Sequence, residues 1–141
     1  MGWTPDRRFV KATVFRDASH ERWMDAKCLR EAGRFQGAIY LCGYALECKL
    51  KFCVCRSQGI EKMEEAEAKR LGHHLTELLD AAGLARVLAG QRELHVAFQD
   101  INDRWSTEMR YSGAKASSRD CDRFLKDSRA LLIWLGTEPT S

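Results

Sequence analysis

A chain of 141 residues, 45% hydrophobic and 30% charged, has the length and composition of one domain with its own core. Its two prolines, Pro5 and Pro139, lie near the ends, which argues against a turn-rich all-β chain and leaves the interior free to be helical. The 23 basic and 20 acidic residues leave a formal charge of only +3, too small a surplus for nucleic acid to be recognised by the field of the whole protein, so any anion site has to be local.

In chain order, residues 1–18 carry Arg7, Arg8, Lys11 and Arg16 around Phe9, Val10, Val14 and Phe15 and read as an arm or a short extra helix. From about Ser19, Trp23, Met24, Cys28, Leu29 and Ala32 recur at helical spacing, and Gly33 supplies the stop of a first helix. The segment from Arg34 to about Arg56 is the most informative. Phe35, Ala38, Ile39, Cys42, Ala45, Leu46, Leu50, Cys53 and Val54 follow the helical period, and Tyr40, Leu41 and Tyr44 widen the stripe nearly all round, which predicts a central helix. Gly37 and Gly43 each cost a helix interior about 1 kcal/mol against Ala, so they point to a neighbouring backbone that comes close.

IEKMEEAEAKRLG, after Gly59, reads as a short exposed helix or a mobile connector. HHLTELLDAA predicts a helix stopped by Gly83, and a longer one runs from Leu84 to Trp105 with Gly90 as a point of bending or breakage. MRYSGAKASS is a polar break. Ser117 with Asp120 resembles a capping pair, and Phe124, Leu125, Ala130, Leu131, Leu132, Trp134 and Leu135 make a last amphipathic helix. With no strand alternation, the expected fold is all-α, an antiparallel bundle of four or five helices over residues 19–136, followed by a tail at 137–141. Phe35, Ile39, Cys42, Leu46, Leu50, Leu78, Leu79, Leu88, Phe98, Ile101, Leu131 and Trp134 are its predicted core.

The run Gly37 to Leu46, free of charged and other strongly polar side chains, falls short of the ~20 apolar residues of a membrane span. The first residues hold no apolar signal core, so a cytoplasmic protein is expected, with its six cysteines as thiols and no membrane contact. No cysteine or histidine pairs fall at zinc spacing, and no metal or cofactor is expected.

P-loop, GxGxxG, GxSxG and HExxH motifs are all missing. Of four histidines, His20 and His95 stand singly on helices, where surface or structural roles are expected. His73 and His74 follow Arg70 and Gly72 and open a helix, where free backbone N–H groups favour an anion; His73 suits a capping hydrogen bond equally well. Glu47 and Lys51, one turn apart in an apolar helix, read as a structural ion pair, while Lys49 and Lys51 could instead offer phosphate contacts at a groove. Arg110 and Tyr111 follow a helix end at the rim of the bundle, where a guanidinium reaches phosphate or a carboxylate.

Three blocks stand in order: GRFQGAIYLCGYALECKLK, with its core from Ala38 to Lys51, GHHLTELL from Gly72 to Leu79, and MRYSG with Arg110 and Tyr111. Together they resemble the HEPN family (higher eukaryote and prokaryote nucleotide-binding domains) over roughly residues 22–135. The resemblance implies a helical bundle that dimerises and acts in prokaryotic toxin–antitoxin or phage-defence systems, as a ribonuclease or beside a nucleotidyltransferase or antitoxin-type partner. Active members of that family resemble metal-independent ribonucleases that use an Arg, four to six residues, then a His, the Arg stabilising phosphorane charge and the His moving the proton.

This chain departs from that spacing: only three residues separate Arg70 from His74 and Arg16 from His20, and Lys69, at the right distance from His74, is a poor substitute for a guanidinium. The expectation is therefore a noncatalytic homodimer that binds RNA, a nucleotide or a partner protein. Its ligand residues would be Lys51, His73, His74, Arg110 and Tyr111, and Tyr40, Tyr44, Trp105 and Tyr111 would supply the dimer interface. Two alternatives remain: a ribonuclease toxin centred on Arg70, His73 and His74, and a scaffold subunit with an apolar functional surface.

Overall fold

In the computed structural model, which describes residues 8–72, 74–105 and 115–137, two long helices form a hairpin that organises the rest. The first, α1, spans Ala12–Glu31, and the second, α2, spans Phe35–Gln58. Gly33 makes the turn between them at φ +77°, a left-handed conformation that side chains resist, and the Arg34 N–H closes it on the Leu29 carbonyl at 2.8 Å. The hairpin runs antiparallel: Ser19 Oγ donates to the Ala45 carbonyl at 2.7 Å, and the Leu29 side chain lies against Gly37.

α1 starts earlier than Ser19 and continues unbroken through residue 18. Ala12 and Phe15 are buried, whereas Val14 is half exposed, so the apolar residues of this stretch form no clean stripe that would disclose a helix. α2 is buried at more than half of its 24 positions, as expected of the central element, and ends at Gly59 with φ +65°. Eleven of the twelve expected core residues are buried; Phe35, in the first turn of α2, is partly exposed and packs on the edge of the core.

Two short strands depart from the all-helical expectation. β1 (Phe9–Lys11) pairs antiparallel with β2 (Lys62–Glu64), with Val10 opposite Met63. The Ala12 N–H also donates to the Glu61 carbonyl at 2.7 Å and the Glu65 N–H to that of Arg8 at 2.9 Å, so the entry to α1 is tied to the exit from α2. Three-residue strands have too few alternations to leave a period in the sequence.

The charged connector folds as β2 and α3 (Glu65–Leu71), which bury Met63, Ala68 and Leu71. α4 (Leu75–Ala81) ends before Gly83. The expected helix from Leu84 to Trp105 is broken at Gly90 into α5 (Ala85–Ala89) and α6 (Arg92–Arg104). The last helix, α7, spans Ser118–Thr137, and the expected cap is in place: Asp120 N–H donates to Ser117 Oγ at 3.1 Å, and Ser117 N–H to Asp120 Oδ2 at 3.3 Å. The described residues thus hold seven helices, where four or five were expected.

The packing is not uniformly antiparallel. The Ala116 N–H donates to Gln36 Oε1 at the start of α2, and Cys53 Sγ lies 3.9 Å from the Leu135 carbonyl near its end, so α2 and α7 run in the same direction. The intervening short helices carry the chain back to the end of the bundle from which α2 began. α6 meets α7 antiparallel, with Asp100 facing Arg123 and Arg104 facing Asp120.

Gly43 also has a different cause from the one expected. A Cβ there would overlap the Trp105 indole, which lies on the α2 backbone and donates from Nε1 to the Tyr40 carbonyl at 3.1 Å. The close approach is that of a ring. Trp105 is 5% exposed and packs edge-on against Tyr44 at a centroid distance of 6.2 Å, so it belongs to this chain's own core and not to an exposed dimer patch.

Candidate functional site

α2 packs against both α1 and α7, whereas α1 and α7 scarcely touch. One end of the gap between them is clasped by Arg30, whose guanidinium donates to both oxygens of Asp122 at 2.7 and 3.0 Å. That hydrogen bond holds the Asp122 carboxyl below its ordinary range. Toward the start of α1, the gap opens as a groove of about 650 Å³.

The α1 wall presents Arg16, His20 and Trp23, spaced four and three residues apart and hence on one helix face. The α7 wall presents Arg129, Leu132 and Ile133 at the same kind of spacing. Lys49 lines the groove from α2, with the end of its side chain beside Gly136 of α7, where an added Cβ would stand 3.5 Å from Nζ. Ser19 lines the groove too, with its hydroxyl already held by the α2 backbone, so α1 cannot roll without breaking a buried hydrogen bond.

Three basic side chains and an imidazole, drawn from three helices, thus line a surface that also carries an indole and two aliphatic side chains. Asp17 and Glu21, one turn apart on α1, add two carboxylates. Arg16 Nε meets Asp17 Oδ1 at 3.1 Å, but both side chains are more than half exposed, and such a pair yields readily to a stronger partner. The arrangement suits an anion with an attached apolar or aromatic body.

The residues singled out from sequence do not gather in this groove. Lys51 lies within α2, its ammonium donating to Glu47 Oε2 at 3.0 Å, with side chains 10% and 4% exposed. This is the expected structural pair, and it withdraws Lys51 from ligand contact. Arg70 is exposed on α3 and donates from Nε and Nη2 to both oxygens of Glu67, at 2.9 and 2.6 Å. These bonds hold the Glu67 carboxyl below its ordinary range. His74 is exposed at the start of α4 and makes no side-chain cap there. His73, Arg110 and Tyr111 lie outside the described residues.

Arg16, His20, Trp23 and Arg129 line the groove without being among the candidates named from sequence. The spacing Arg16–His20–Trp23 is a signal for one helix face only once residues 12–18 belong to α1; Arg129 carries no such signal, since only the tertiary fold sets α7 beside α1.

The cysteines offer no ready nucleophile in the core. Burial pushes the Cys42 thiol up to about 12 and that of Cys48 up to about 11, so both stay protonated at neutral pH. All six thiols are free, and only Cys28 is exposed. Among the described residues, no group of three or more His, Cys, Asp or Glu side chains is placed to hold a metal ion, and no helix is long and apolar enough to cross a membrane. No family model, curated protein or solved structure matches the chain.

Proposed function

We propose that this chain is a noncatalytic HEPN-like binding module that takes RNA or a nucleotide in the groove between α1 and α7, as a component of a prokaryotic toxin–antitoxin or phage-defence system. The observation that carries the reading is that Arg16, Lys49 and Arg129, from three separate helices, line one groove, where they outnumber Asp17 and Glu21 and a guanidinium or ammonium can meet a phosphate from more than one side. The three sequence blocks support the family part of the proposal, together with its homodimer and its antitoxin-type or nucleotidyltransferase partner. The commitment of Arg70 to Glu67 weighs against the ribonuclease centre at Arg70, His73 and His74.

The test is binding of a fluorescently labelled ten-nucleotide RNA, read by polarisation. Lys49→Ala and Arg129→Ala each weaken binding by about tenfold, and binding by the unaltered chain falls as salt rises. Absence of binding at low salt would overturn the proposal in favour of a scaffold. One observation favours a second reading: Arg16 and His20 share the groove one turn apart, a guanidinium and an imidazole on one face that could serve a ribonuclease. Metal-independent cleavage that disappears in a folded His20→Ala variant would move the chain to that class.

A further inference from the structure

Resting on the reading of the groove as an anion site, we infer that its ligand is a single nucleoside phosphate, with the base against Trp23 and the phosphate among Arg16, Lys49 and Arg129, and not a run of strand. Among the described residues Trp23 is the one Phe, Tyr or Trp side chain lining the groove, and it shares a helix face with Arg16 two turns away, so a flat ring and a phosphate attached to it meet complementary surfaces together. Leu132 and Ile133 form the facing wall; Ile133 is 53% exposed, apolar surface that a bound base would cover. The volume of about 650 Å³ lies within the range of pockets that enclose one small molecule.

The carboxylates set the limit on length. Asp17 already holds Arg16, and Glu21 stands one turn further along the same helix, so each phosphate of a continuing strand would pass fixed negative charge where a strand-binding track needs more cations. For one phosphate the same groups are acceptable, because it displaces Asp17 from Arg16, while the carboxylates remain able to accept hydrogen bonds from ribose hydroxyl or base amino groups.

Calorimetry on the full chain with AMP, adenosine, inorganic phosphate and a ten-nucleotide oligoadenylate tests this. One AMP binds per chain, and adenosine and phosphate each bind at least about tenfold more weakly, because each keeps one half of the recognition. Trp23→Ala weakens AMP by about tenfold while Trp23→Phe stays within about threefold of the unaltered chain, and Arg129→Gln, at an exposed position that does not threaten folding, weakens it by about tenfold. The oligoadenylate binds within about threefold of AMP, with a salt slope near the ~0.7 expected for one phosphate of a single strand.

Oligoadenylate binding about a hundredfold tighter than AMP, through several phosphates and unaffected by Trp23→Ala, overturns this inference and leaves the RNA-binding function standing. Failure of both AMP and oligoadenylate to bind at low salt overturns both.

Discussion

Lys49 and Lys51 are the same residue type two positions apart on α2, and the fold gives them opposite work. A helix turns about 200° over two residues, so when Lys51 faces inward Lys49 faces out. Lys51 is nearly buried and spends its charge on Glu47, which stands one turn back on the same face. Lys49 is half-buried and lines the groove between α1 and α7, its ammonium close to Gly136 and 5.6 Å from the centre of the Phe52 ring. The Arg70–Glu67 and Arg16–Asp17 pairs repeat the contrast at the surface: two good hydrogen bonds hold the first, and a single exposed contact holds the second. A basic residue in this chain is available to a ligand according to what its helix turns it toward, not according to the sequence block that contains it.

The sharpest break of that comparison comes at Lys51. Lys51→Ala leaves the Glu47 carboxylate buried without its lysine and costs about 3–5 kcal/mol, measured by urea unfolding. Glu47→Gln combined with Lys51→Met recovers much of the loss, since a buried pair replaced as a unit leaves no stranded charge. Equal losses in the single and double variants would show that the pair does not act as one.

A third side of α2 is tested at Gly43. Gly43→Ala sets a methyl group into the Trp105 indole and costs about 1–3 kcal/mol, with a shift of the tryptophan emission as the ring leaves its seat on the Tyr40 carbonyl. An unshifted emission and an unchanged unfolding midpoint would contradict the seat.

At Lys49 the expectation inverts. Lys49→Ala changes stability by less than about 0.5 kcal/mol yet weakens the groove's ligand by about tenfold, so the two lysines separate cleanly when stability and affinity are measured on the same preparations. A large loss of stability in this variant would erase the distinction between the two faces.

The smallest effect belongs to the clasp at the closed end of the gap. Asp122 titrates below the usual carboxylate value of 3.8 because Arg30 hydrogen-bonds it, so its contribution to stability is present above 3.8 and fades as pH falls through the lower folded-state value. Asp122→Asn therefore melts slightly below the unaltered chain at neutral pH and coincides with it in strong acid; the pair is exposed, which keeps the difference small. A difference that persists unchanged into strong acid would exclude the Arg30 pair as its source.

Much of the helical order was legible because apolar periodicity and punctuation act locally. The stripe from Ala38 to Val54, the stops at Gly33 and Gly83 and the cap at Ser117 and Asp120 are consequences of residues within a few positions of one another. The site was less legible. Arg70 and His74 lie within five residues of each other in the sequence, yet Arg70 is engaged by Glu67 on its own helix. His20, a solitary histidine in the sequence, shares a groove with Arg129 and Lys49, which reach it from other helices.

By itself the sequence determined that α2 would be central, where most helices stop, and that Glu47 and Lys51 would pair, since each depends on spacing along one helix. Only the tertiary structure decided that α7 runs parallel to α2, that Gly43 receives an indole, and that Arg16, Trp23, Lys49 and Arg129 share one groove. The physical reason is range: hydrogen bonds and side-chain periods within a helix are written over three or four residues, whereas the relative placement of α1, α2 and α7 is the outcome of packing the whole core at once.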